Sequence, residues 1–578
     1  MRVVATAGHV DHGKSSLVEA LTGTNPDRLE EERTRGMTID LGFAHTVLPS
    51  GAGISFVDVP GHIRFLRNML AGVGGVDACM FVVDASEGWK PQSEEHLRIL
   101  ELVGIAFGIV VLTKADLVDD EWCALQELDL RDRLAGSFLA NVPIVPASAT
   151  TGRGLDEVRA RLDDLVGRTP AALDRGRPRL WVDRVFAAKG SGTIVTGTLT
   201  GGSLFTDQQV NVAGRAVRIR AVQSHNQSHD SIGPGNRVAL NLVGIDHGTL
   251  QRGDAVILAA QWRPTKRFDA ALHVLPSLRH EMSRRGAYLA YIGSGEFPVK
   301  VRVLGEEAIQ PGGSSAVRLH LASAVPLTPG DRFVLRESGR DETVGGGEVL
   351  DVAPVLPASK ARPDRSIERV IAERGWVTAD DLEALTGERR EPTVGDGVVS
   401  QEWLDTTRTI IKARIAAAGE LGLDVAALDD RQRAVVPTVD GVTIETGRAR
   451  LAGTDDRLAT HPFLAALLAG GVAPPAPDGV IGKAELRELV RRKLVVERDG
   501  VFFHPATIGA AARTAAGLLR TSPEGFTVAQ LRDQLGASRK YALPLVNELD
   551  ARGITRRRGD LRVAGPLLPS ADEGSAPA

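Results

Sequence analysis

Cysteine is nearly absent from these 578 residues, with Cys79 and Cys123 the only two. Two thiols cannot build a disulfide framework or a four-ligand zinc cluster. Such a chain suits a reducing compartment, so a cytoplasmic location is expected. Long apolar runs are missing as well. No stretch reaches the roughly 20 residues of a membrane-crossing helix, so no membrane partner is expected. Because a chemical motif begins at Gly8, no secretion signal is expected. An excess of one charge sign is also lacking. With a net charge of −4, any nucleic-acid surface must be a local patch. What is present is ordinary globular material, 43% hydrophobic and 25% charged, and long enough for several domains.

Residues 1–170 alternate apolar runs (3–7, 54–59, 78–83, 108–112, 143–145) with helical stretches (15–21, 64–71, 93–103). That alternation predicts a doubly wound α/β domain with buried parallel strands. The stretch 168–179 is rich in Arg, Pro and Ala and reads as a linker. From there the runs become short and β-branched, separated by Gly, Pro and Asp. Two antiparallel β-barrels are expected, at 177–260 and 263–356. A second linker follows at 357–365. Beyond it, helical patterns with short apolar strands predict tandem winged-helix units over 366–510 and a terminal one over 513–568. The stretch 387–400 is the least regular.

The densest chemistry lies at the start. Gly8, His9, Val10, Asp11, His12, Gly13, Lys14 and Ser15 fit G-x-x-x-x-G-K-[ST], between a predicted strand and a predicted helix. Glycine lets such a loop turn tightly, so that successive N–H groups meet phosphate oxygens at a helix N-terminus. Lys14 is expected at the β- and γ-phosphates, Ser15 on Mg²⁺, and Ser16 among the phosphate contacts. Asp58, at a strand end, is a second candidate for Mg²⁺, and the Gly61 N–H a candidate for the γ-phosphate. Thr113, Lys114 and Asp116 follow another strand. Asp116 suits guanine, whose N1–H and N2 amine can both donate to one carboxylate. Ser148 and Ala149 follow a further strand and suit guanine O6. Four elements in this order predict a P-loop GTPase that uses GTP and Mg²⁺.

The octapeptide at Gly8 resembles the phosphate loop of elongation factor Tu and its relatives, the translational GTPases. The Asp58–His62 pentapeptide resembles their second switch, and Arg35-Gly36-Met37-Thr38-Ile39 the end of their first. The resemblance implies that Thr38 completes Mg²⁺ coordination, that His62 orients the attacking water, and that Asp11 helps hold a monovalent cation. It also implies slow intrinsic hydrolysis that the ribosome stimulates. Thr113 departs from the usual Asn, which implies looser nucleotide binding and spontaneous GDP release.

The wider pattern resembles the SelB family of selenocysteine-specific elongation factors. The segments that carry it are 35–43, 68–75, 112–116, 183–198, 536–540 and 555–559. The match is weak over 375–480. It implies delivery of selenocysteinyl-tRNA to the ribosome at UGA codons marked by an mRNA hairpin, by a protein expected to be monomeric. A selenol is ionised at neutral pH, so its pocket needs positive charge. Arg184 and Arg237, with Asp183 to orient a partner, are the candidates. The other reading of each Arg is a solvated barrel residue or a tRNA phosphate contact. Over 526–566, eight basic side chains face four acids. Arg539 and Lys540 open a helix there, and Arg556, Arg557 and Arg558 enter the wing, which suits hairpin phosphates. A competing reading is a GTP-dependent assembly or stress factor whose C-terminal helices bind protein.

Overall fold

The computed structural model describes residues 2–27, 32, 38–61, 66–73, 75–188, 192–445, 447–453 and 458–569. The chain divides into two compact units, 1–398 and 399–578, each taken by itself below.

The first unit begins with a six-stranded sheet: β1 (Arg2–Ala7), β2 (Gly42–Val47), β3 (Gly53–Asp58), β4 (Ala78–Asp84), β5 (Gly108–Thr113) and β6 (Ile144–Pro146). Its order is β2-β3-β1-β4-β5-β6, with β2 antiparallel to β3 and the other pairs parallel. Successive side chains feed opposite layers, which is why these strands read as continuous apolar runs. Val3, Ala5, Phe81 and Val83 face one core, with Met69, Leu97, Leu100 and Leu130 from three helices. Val4, Phe56, Met80 and Val82 face the other, with Leu17, Val18, Val158 and Leu162 from two more. Edge strand β2 is buried only at alternate positions, so no apolar run announces it.

Two closed six-strand antiparallel barrels follow. In the first, Gly192–Thr200 alternates buried and half-exposed positions around a core that includes Leu180, Val195, Leu240 and Val256. The second carries three successive glycines. At Gly346 a Cβ would stand 2.8 Å from Leu102 Cβ, so the missing side chain lets the barrel lie against helix Pro91–Val103.

The segment 168–179, expected as a linker, is tied down by its own arginines. The Arg175 and Arg177 amides donate to the Gly201 carbonyl at 3.0 and 2.9 Å. The Arg177 guanidinium lies 4.1 Å over Trp262, and Arg179 bridges to Asp331 of the second barrel at 2.6 Å. Such buried guanidiniums hold only because each has a ring face or a carboxylate. Helices Ile367–Arg374 and Ala379–Thr386 share the second barrel's core through Ile367, Ile371, Leu382 and Leu385.

The second unit holds helices Gln401–Ala417, Pro462–Gly470 and Lys483–Arg491, a three-stranded sheet and the hairpin Val496–Arg498/Val501–Phe503. It ends in a winged helix: Pro505–Thr521, Val528–Leu535 and Arg539–Ala551, then the wing Thr555–Arg558/Leu561–Ala564. Phe503, Phe526, Leu531, Leu545 and Leu549 are fully enclosed in its core. Among the described residues, no helix is long and apolar enough to cross a membrane.

Candidate nucleotide site and aminoacyl cleft

The loop from Gly8 to Gly13 connects β1 to the helix Lys14–Thr22, whose N-cap is Gly13 at φ 80°. Gly8 has φ 134°, and a Cβ there would run into the Val82 carbonyl. The loop is braced from the helix Pro91–Val103. His96 Nδ1 accepts the Gly8 amide at 3.1 Å, and Gln92 Oε1 accepts the Val10 amide at 3.3 Å. Burial drives the His96 pKa down to about 3, so the ring stays neutral and keeps an acceptor nitrogen. His9 and His12 pack edge to face at 4.9 Å. Neither ring nitrogen of the enclosed His12 has a hydrogen-bond partner among the described residues.

Lys14 is buried and its ammonium folds back on the loop, donating to the His9 and Gly8 carbonyls at 2.7 and 3.1 Å. Gly61 presses on the same loop: a Cβ would lie 2.6 Å from the Val10 nitrogen. Burial lowers the Lys14 pKa to about 8, against the attraction of Asp58 and Asp11. A bound polyphosphate must raise that value, so above pH 8 binding has to take up a proton. Nucleotide affinity is therefore expected to be flat below about pH 8. Above it, affinity should fall by up to about tenfold per pH unit, with proton uptake visible by calorimetry in buffers of different ionisation enthalpy. A pH-independent affinity from 7 to 9.5 would refute this.

The sequence-predicted metal set comes together. Ser15 Oγ lies 2.7 Å from Thr38 Oγ1 and donates to Asp58 Oδ2 at 2.7 Å. Thr6 Oγ1 holds the other Asp58 oxygen at 2.7 Å, and Asp27 accepts from Thr38 at 2.9 Å. Burial pushes the Asp58 carboxyl above its ordinary range, and the Thr6 and Ser15 hydroxyls and Lys14 work against that. Every donor is a hard oxygen, which fits Mg²⁺.

At the base end, Asp116 is exposed beyond β5, with no hydrogen-bond partner among the described residues. Lys114, at φ 54°, pairs with Asp84 at 2.7 Å. Thr113 Oγ1 lies 2.6 Å from the His12 carbonyl and 3.1 Å from the Val83 carbonyl. The short hydroxyl thus ties the phosphate loop to the sheet. The Ser148 amide donates to Arg153 at 2.9 Å, while the Ala149 amide has no acceptor among the described residues. Arg153 also binds the Ala115 carbonyl at 3.0 Å and Asp120 at 2.6 Å, bracing both base loops. His62, Arg35–Met37 and Lys189–Ser191 lie outside the described residues.

A cleft of 570 Å³ opens between the sheet domain and the first barrel, lined by Phe43, His45, Arg184, Thr196, His225 and Arg237 among others. Asp183 is buried and takes both terminal nitrogens of Arg237, at 2.6 and 2.9 Å, and the Thr196 hydroxyl at 2.7 Å. Arg237 and Arg184 both lie over the ring of Phe43, at 3.4 and 4.4 Å. The His45 and His225 rings meet at 4.6 Å, tilted by 52°. Burial lowers the His225 pKa to about 4, and its neutral ring meets Ser55 Oγ at 2.7 Å.

In the terminal winged helix, ion pairs sort the basic residues. Arg532 pairs with Asp533 at 2.6 Å, Arg552 with Glu548 at 2.7 Å and Arg562 with Asp550 at 2.6 Å. Arg539, Lys540, Arg556, Arg557 and Arg558 are exposed and have no carboxylate partner among the described residues.

Asp27, His96, Arg153 and Arg252 were not singled out from sequence, and no short-range signal marks them; Phe43 lies in the 35–43 segment of the resemblance, where it was given no role. His96 meets Gly8 across 88 positions, and Arg252 meets Asp40 across 212.

Residues 1–168 match the family described as elongation factor Tu GTP binding domain, and residues 518–564 match that described as elongation factor SelB, winged helix. The selenocysteine-specific elongation factor of Desulfomicrobium baculatum is 38% identical over 384 residues, 66% of this chain and 60% of the relative. The chain thus aligns with about three fifths of that relative's length. Elongation factor Tu 2 of Streptomyces avermitilis is 31% identical over 386 residues, 60% of this chain and 96% of the relative. The crystal structure of a bacterial selenocysteine-specific elongation factor, EF-Sec, superimposes with a TM-score of 0.76 at 26% identity. It covers 97% of this chain and 99% of that one.

Proposed function

This chain belongs to the SelB group of the elongation factor Tu-like translational GTPases, and from that premise we propose that it carries selenocysteinyl-tRNA to the ribosome under GTP control. It does so at UGA codons marked by an mRNA hairpin, as a cytoplasmic monomer. The observation that carries the selenocysteine part is the arginine pair. Arg237, fixed by buried Asp183, and Arg184 stand over one aromatic ring in a cleft beside the sheet domain. A serine hydroxyl is neutral at pH 7, whereas a selenolate is an anion. Two guanidiniums therefore favour the selenolate by the margin of charge-assisted over neutral hydrogen bonds.

Lys14, the loop amides and Gly61 would hold the GTP phosphates, and Asp116 and the Ala149 amide the guanine. Ser15, Thr38 and Asp58 would hold Mg²⁺, which neutralises phosphate charge when bound. His62 would orient the attacking water, and Asp11 would help hold a monovalent cation. Arg539, Lys540 and Arg556–558 would grip the hairpin phosphates.

Filter binding with GTP tests the central claim. Selenocysteinyl-tRNA is expected to bind about 10- to 100-fold more tightly than seryl-tRNA, the factor that one charge-assisted hydrogen bond supplies. The advantage should shrink in the Arg184→Ala and Arg237→Ala variants. Equal affinity for the two tRNAs would refute the proposal.

A further inference from the structure

Arg184 is engaged before any ligand arrives. Its Nη2 donates to the Leu41 carbonyl, its Nε lies 4.0 Å from Asp40 Oδ2, and its plane lies over Phe43. Arg252, on the same barrel, reaches the same segment. It donates to Asp40 at 2.8 Å, to Asn68 at 2.7 Å and to the Asp183 carbonyl at 3.0 Å. The sheet domain's residues 40–43 therefore present a carboxylate, a carbonyl and a ring face to the barrel's guanidiniums. An anionic ligand would need to supply a substitute for that carboxylate. The segment is anchored at its other end. Glu32 accepts the Ile39 and Asp40 amides at 3.0 Å each, and Thr38, two residues before Asp40, touches Ser15.

We propose that Asp40 is a specificity residue of the aminoacyl cleft, an internal anion that holds Arg184 and Arg252 until a selenolate takes Arg184 over. The idea rests on the assignment of Arg184 and Arg237 to the aminoacyl pocket. It has two physical consequences. Ligand binding and the position of the 40–43 segment become linked, so each shifts the other by the same free energy. Because the segment adjoins Thr38, whatever fixes Thr38 at the nucleotide site biases the same equilibrium. A selenolate can replace a carboxylate on a guanidinium, but a neutral seryl hydroxyl cannot.

Asp40→Asn keeps the size and removes the charge. In the full-length protein with GDP, selenocysteinyl-tRNA is expected to bind the variant about two- to fivefold more tightly than the parent protein, the scale of one half-exposed ion pair. Seryl-tRNA should change less than about twofold. The readout is protection of the aminoacyl ester from hydrolysis. A gain in affinity cannot come from a misfolded variant. An equal gain for both tRNAs would overturn the proposal, because the segment would then obstruct the tRNA body and not the side chain. No gain for either would overturn it as well. Arg184→Ala separates this from the underlying assignment. If that variant loses the selenocysteinyl preference while Asp40→Asn gains nothing, only the role of Asp40 fails. If Arg184→Ala keeps the preference, the pocket assignment fails and the role of Asp40 with it.

Discussion

Asp116→Asn is expected to lower GTP affinity about a thousandfold while raising affinity for xanthosine triphosphate. Asp116 stands exposed beyond β5, and no described residue donates a hydrogen bond to it. In the proposed complex it accepts from guanine N1–H and the N2 amine. Two charge-assisted hydrogen bonds at about 2 kcal/mol each account for a factor of that size. Asn keeps one acceptor and adds a donor, and this donor faces the guanine amine. Xanthine has a carbonyl in place of that amine, so the Asn donor meets an acceptor. Competition against a fluorescent nucleotide would measure both arms. The opposite signs matter, because a damaged fold would lose both nucleotides together, whereas a folded variant that kept its GTP affinity and gained none for xanthosine triphosphate would sink the guanine assignment.

The phosphate loop was legible because its chemistry is contiguous. Gly8 to Ser15 supplies a turn, an ammonium, a hydroxyl and a helix start in one octapeptide, and β1, β3 and β5 announce themselves as apolar runs. The barrels were legible as turn-punctuated β-branched runs. What was hidden lies at long sequence separation or against the simple pattern. Strand β2 is an edge, half-exposed, so it carries no apolar run. The helix Asp120–Leu134 exposes Leu125 and Leu128 and has no clean apolar stripe. The 168–179 segment has a linker's composition, but its arginines find Trp262 and Asp331 in the barrels. Thr113 was read only as a departure from the usual Asn. Its hydroxyl reaches the His12 carbonyl at 2.6 Å, a close approach that composition cannot foretell. The arginine pair was nameable from sequence, but Phe43 and Asp40, which cover it, come from another domain.

The same long-range sorting sharpens the RNA claim. Arg556→Ala with Arg558→Ala is expected to weaken binding of the mRNA hairpin about 100-fold, at about tenfold per phosphate contact. The double-logarithmic salt dependence should become shallower by about 1.5. The choice of pair follows from the wing. Strand side chains alternate faces, so Arg556 and Arg558 share one side, while Arg557 shares the other with buried Thr555. Arg557 also donates to the Gly559 carbonyl at 3.1 Å and sits opposite Arg562, whose guanidinium is committed to Asp550. Arg557→Ala alone should therefore cost less than either outer arginine. Arg562→Ala supplies the contrast: it strips the charged partner from half-buried Asp550, leaving it the Thr555 hydroxyl alone, and should lower the unfolding midpoint. The outer pair, both exposed, should leave that midpoint in place. If the outer double variant binds the hairpin with unchanged affinity and salt slope, the wing does not read RNA. The excess charge would then be a solvated face, and the competing assignment of these helices to a protein partner would gain.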